Sequence, residues 1–101
     1  MAKIKKVKGI CLPKDYRLNG KKFQFKWRRM KDKLGLCSSP EENSEGRIIW
    51  INPDSDAETI VKTLIHEMLH AQIWVLDEDT VERTSQEMFE VLKIAGAIRL
   101  E

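Results

Sequence analysis

Apolar and polar residues change their repeat twice along this chain. Phe23, Phe25 and Trp27 alternate with Lys22, Gln24, Lys26 and Arg28, a period of two with aromatic enrichment that predicts a strand over 22–28. Asn19-Gly20 just ahead of it is a turn signal. Upstream, Ile4, Val7, Ile10 and Leu12 are interspersed with lysines, which predicts an edge strand over 3–12 whose charges discourage pairing with another chain; Pro13 ends it. Gly35, Ser38-Ser39-Pro40 and the polar stretch to Gly46 predict a loop of about a dozen residues. Arg47-Ile48-Ile49-Trp50-Ile51-Asn52 is a short apolar run stopped by Pro53, the pattern of a strand buried on both faces.

Beyond Pro53 the period becomes helical. Ile60, Val61, Leu64, Ile65, Met68, Leu69, Ile73 and Trp74 recur at three and four, with Asp54, Ser55 or Asp56 as cap, and predict a helix over roughly 56–75. Its apolar residues cover nearly the whole circumference, so it is expected to be the central, buried helix. Asp77-Glu78-Asp79-Thr80 supplies a turn and a new cap, and a second helix is expected to run to about Ala95, where Gly96 stops it.

The length of 101 residues, with 42% apolar and 34% charged residues, leads us to expect one domain over residues 1–101. The longest uncharged apolar run, Met68 to Leu76, falls far short of the roughly 20 residues that cross a bilayer, so no membrane partner is expected. The first residues lack an apolar signal core, which points to a cytoplasmic protein with Cys11 and Cys37 reduced, each read as a small buried apolar group. The net charge of +2 divides into +9 over residues 1–50 and −7 over 51–101. Such a division either steers an acidic partner or nucleic acid to one side or pairs the two halves with each other.

Inside the predicted central helix lies His66-Glu67-Met68-Leu69-His70, an HExxH motif that contains the only two histidines of the chain. Residues i and i+4 differ by about 40° around a helix, so both imidazoles leave one face about 6 Å apart and can bind one Zn²⁺. Glu67, one position on, stands beside the metal, where it can take a proton from a metal-bound water and give it to a leaving amine. Burying two imidazoles and a carboxylate with no partner would cost several kcal/mol. A catalytic zinc needs a third protein ligand, and without a third histidine a carboxylate must serve. Of the acids on the second helix, Glu78 and Glu82 border its apolar face, while Glu87 and Glu90 point to solvent. If the helices run antiparallel and the first ends near residue 75, His70 lies about 7.5 Å before that end, which favours Glu82, a turn inside the second helix, over Glu78 at the turn.

The stretch Leu34 to Leu92 resembles the compact gluzincin-type metallopeptidases of phage and prophage origin, distantly similar to the ImmA/IrrE and SprT-like groups. The resemblance rests on Gly35-Leu36-Cys37, the run Arg47 to Ile51, Thr63-Leu64-Ile65-His66-Glu67-Met68-Leu69-His70-Ala71 and Glu78-Asp79-Thr80-Val81-Glu82-Arg83. It implies an α+β, zincin-like domain: a three- or four-stranded, mostly antiparallel sheet packed on the active-site helix, plus a second C-terminal helix. It further implies His66, His70 and Glu82 as zinc ligands, Glu67 as general base, and residues 47–52 as the edge strand that takes a peptide or protein substrate by strand addition. SprT-like proteins usually carry a third histidine ligand, which this chain lacks.

The expected activity is zinc-dependent peptide hydrolysis, with Tyr16, Arg47 and Arg83 as candidate donors to the developing oxyanion. The alternative is a catalytically silent module in which zinc clips two helices together. There the basic N-terminal half would contact a protein or nucleic acid, with Phe23, Phe25, Trp27 and Trp50 available to stack on bases.

Overall fold

The computed structural model describes residues 6–42 and 46–100. Four strands precede two helices: β1 (Asp15–Leu18), β2 (Lys21–Trp27), β3 (Gly35–Cys37), β4 (Ile48–Ile51), α1 (Ala57–Gln72) and α2 (Glu78–Ile94). The architecture is α+β, with a four-stranded mixed sheet in the order β1-β2-β4-β3. β1 and β2 are antiparallel and joined through Asn19 and Gly20, whose φ values of 52° and 75° are the left-handed pair that a tight two-residue hairpin requires. β2 and β4 pair in parallel, Phe25 opposite Ile49, and β3 closes the far side antiparallel to β4.

Strand alternation sorts this sheet into two faces. Leu18, Phe23, Phe25, Ile49 and Ile51 point inward and are buried with Ile60 and Ala71 of α1, while Trp27, Cys37, Leu64 and Met68 pack at the margin. The other face carries Lys22, Lys26, Ile48 and Trp50, with the Arg28 guanidinium 5.8 Å from the Trp50 ring. No further layer covers it among the described residues, so β4 is fully buried only at Ile49 and Ile51, not on both faces as its apolar run suggested. Phe23 and Phe25 lie in the core and are not available to stack on a base.

α1 is the middle layer. It contacts β1, β3 and β4 on one side and α2 on the other, while α2 touches no strand among the described residues. That explains why α1 is apolar nearly all round, whereas α2 is buried only along the stripe Val81, Ser85, Phe89 and leaves Met88, Val91 and Ile94 exposed. Asp56 and Asp77 cap the two helices by accepting from the Thr59 and Thr80 amides, and these bonds hold both carboxyls below their usual range. The Lys93 ammonium near the end of α2 meets Glu58 near the start of α1 at 3.3 Å, so the helices are antiparallel.

Three local expectations change. Residues 7–10 form a tight turn bridging Val7 and Ile10, not an edge strand; residues 3–5 of that prediction lie outside the described residues. Gly35–Cys37 is a strand and not part of a loop, and β1 forms where no alternation announced it. α1 ends at Gln72, three residues short of the predicted 75. Cys11 is exposed and Cys37 half-buried.

Candidate metal centre

The HExxH segment occupies the middle and end of α1, where its helical face turns toward β3 and the start of α2. Glu67 is buried to 7% exposure, beneath the first residue of β3. A Cβ at Gly35 would stand 2.6 Å from Thr63 Cγ2 and 3.1 Å from the Glu67 Cγ and Oε2 atoms, so only glycine lets strand and helix come this close. Burial pushes the Glu67 carboxyl from 4.5 up to about 7; nearby His66 opposes the rise, Glu78 adds to it, and Lys33 opposes it.

The two histidines turn toward α2. His66 Nε2 lies 2.7 Å from Glu78 Oε1, and His70 Nε2 lies 3.1 Å from Glu78 Oε2. One carboxylate thus bridges the two ring nitrogens that face it, and the ring centroids are 4.9 Å apart. Glu82 Oε2 lies 3.0 Å from the other nitrogen of His66, Nδ1. One donor atom from each of His66, His70 and Glu78 falls within 4.8 Å of the others. Tetrahedral zinc needs its ligand atoms about 3.3 Å apart, a span that small side-chain rotations reach, and two imidazoles with a carboxylate are a donor set that zinc accepts.

Depth along the first helix favours Glu82, yet the bridging carboxylate is Glu78. Because α1 stops at Gln72, His70 is only two residues from its end, about 3 Å, and the level of the imidazoles meets the first residue of α2 and not its second turn.

Two adjoining hollows, 370 and 540 Å³, share Lys33, Gly35, His66, Glu67 and Glu78. Tyr16, Arg47 and Arg83 line neither; Arg47 instead donates to the Lys22 and Glu42 carbonyls. The lysine beside Glu67 that lines both hollows is Lys33. It is set there by Asn52, a buried residue whose Nδ2 donates to the Met30 and Lys33 carbonyls at 2.7 and 2.9 Å. A lone Asn before a proline carries no signal of this in sequence. Cys37 also lines the larger hollow; burial, with Glu67 adding, pushes its thiol up to about 12, so it stands there neutral.

The strand expected to face substrate, residues 47–52, is interior, with β2 on one side and β3 on the other. The edge beside the cleft is β3. On either side of it the Leu34 carbonyl accepts from the Asn52 amide and the Ser38 amide donates to the Ile48 carbonyl, so by alternation the main-chain groups of Gly35 and Cys37 point away from β4.

The chain matches the SprT-like family over residues 14–89, a span that holds all four strands, α1 and most of α2. It belongs to that family. The family is one of zincin-like metallopeptidases, and the match spans every residue of the candidate centre. Comparison with curated proteins and with solved structures returned no match.

Proposed function

We propose that this protein is a zinc-dependent peptidase of the gluzincin type, in which His66, His70 and Glu78 would hold the metal and Glu67 is the general base. The observation that carries the reading is the convergence of both Nε2 atoms on one carboxylate, with a buried glutamate of raised pKa directly beside them. Zinc bound there would supply Lewis-acid polarisation of a carbonyl and acidify water. Glu67, poised near neutrality, takes the proton of the attacking water and passes it to the leaving amine. Glu82, against Nδ1 of His66, fixes the tautomer that leaves Nε2 free to ligate. The outward main-chain groups of Gly35 and Cys37 pair with an extended peptide, and Lys33 faces the negative charge that develops on its carbonyl oxygen.

Metal analysis together with casein hydrolysis tests this assignment. The wild-type protein should hold one zinc and cleave; Glu67→Gln should keep the zinc and lose turnover by about 10³-fold. Undiminished hydrolysis in that variant, or a protein that takes up no zinc, would reject the reading.

A further inference from the structure

The two hollows differ in the residues that each has to itself. The smaller is walled by Leu34, Thr59, Lys62, Thr63, Glu82 and Ser85, of which only Leu34 is apolar. The larger is walled by Cys37, His70, Trp74 and Leu76. Because Gly35, His66, Glu67 and Glu78 belong to both, the candidate metal centre stands between them. The segment 34–37, which contains β3, runs from one to the other, with Leu34 at the smaller hollow and Cys37 at the larger. A peptide laid along its open edge therefore crosses both, one on each side of the bond held next to Glu67.

We propose that the 540 Å³ hollow is a pocket for a large apolar side chain of the substrate peptide, with Trp74 as its specificity-determining wall. The proposal rests on the metallopeptidase reading and adds the substrate class. Trp74 follows the end of α1, with its ring 6.3 Å from that of His70, and stays 45% exposed although it is one of the largest apolar surfaces of the chain. An apolar side chain seated against it removes water from both surfaces at once. A charged side chain would give up hydration there: of the two carboxylates that line the hollow, Glu78 already faces both imidazoles and Glu67 is buried beneath Gly35. On the other side of the centre, Lys62 and Glu82 with the Thr59 and Ser85 hydroxyls offer partners to polar residues.

The test is peptide binding to the full chain loaded with zinc, in a Glu67→Gln background so that the peptides stay intact. Fluorescently labelled alanine hexapeptides carrying a single Phe or a single Lys, scanned through each position, are titrated by anisotropy. At one position Phe should bind about tenfold tighter than Lys. Trp74→Ala should erase that ratio and Trp74→Phe restore most of it, while Val75→Ala, at a neighbour 89% exposed that lines neither hollow, leaves it unchanged. Equal binding of Phe and Lys peptides to the zinc-loaded protein, no binding of either, or a preference that survives Trp74→Ala overturns the pocket alone. Failure to take up zinc overturns the metallopeptidase reading beneath it.

Discussion

The two walls of the cleft are built on opposite terms. One wall, α1 with β3, is closed: Glu67 and Thr63 are each 7% exposed and press against the backbone of Gly35. The opposing wall, the first turns of α2, is open, with the side chains of Glu78 and Glu82 about 71% and 67% exposed. Burial makes Glu67 a better proton acceptor than an exposed carboxylate, and the same burial ties its chemistry to the packing of the fold. Exposure leaves the α2 carboxylates with little part in stability, so their role is set by which imidazole nitrogen each one meets.

The largest effect that separates the walls is expected on α2. Glu78→Gln should weaken zinc binding by more than about 100-fold, and Glu82→Gln by about tenfold, as for a group that orients a ligand. Competition with a chromophoric chelator measures both. The melting temperature of the metal-free protein should move little in either variant, since exposed ion pairs contribute less than about 1 kcal/mol. The reverse order of affinities would make Glu82 the ligand and leave Glu78 as its support.

The closed wall should reveal itself through pH. In the metal-free protein, folding raises Glu67 from 4.5 to about 7, so the folded state binds a proton more tightly than the unfolded chain. Stability from this group is complete below pH 4.5 and lost as pH rises through about 7. Glu67→Gln, which cannot ionise, should therefore be more stable than wild type at pH 8, by on the order of 2–3 kcal/mol, and equal to it near pH 4. Urea unfolding of the chelator-treated proteins at the two pH values gives the difference. A difference that does not depend on pH would mean that the carboxylate is solvated and the wall is not closed.

Gly35→Ala is the smallest of the three perturbations. Its Cβ would meet Thr63 Cγ2 at 2.6 Å, and the expected loss is about 1–3 kcal/mol of stability. Adding Thr63→Ala, which removes that methyl group, should return part of it, so the two changes should be non-additive in a double-mutant cycle followed by thermal unfolding. Strict additivity would show that strand and helix do not touch at this point.

The elements legible in the chain were those with a long enough repeat. β2 announces itself by three alternating aromatics, α1 and α2 by apolar residues at three and four, and Asn19-Gly20 by its left-handed turn. β1 and β3, four and three residues long, carry no period that can be counted and exist because β2 and β4 offer them main-chain partners. The apolar pattern overstates α1 because Trp74 continues it past Ile73, whose amide makes the last helical hydrogen bond, to the Leu69 carbonyl. That shift of three residues brings Glu78 between the two Nε2 atoms, with Glu82 on Nδ1 of His66.

What the chain alone determined is the pairing of His66 with His70 and the place of Glu67 beside them, because all three lie within one helical turn and a half and local geometry suffices. Which carboxylate completes the set, which strand presents an open edge and which lysine stands at the cleft depend on how sheet, α1 and α2 are layered. Those are contacts between segments far apart in sequence, and their chemistry is set by burial that no local pattern encodes: Gly35 against Thr63, Asn52 holding the Lys33 carbonyl, Glu78 spanning two rings.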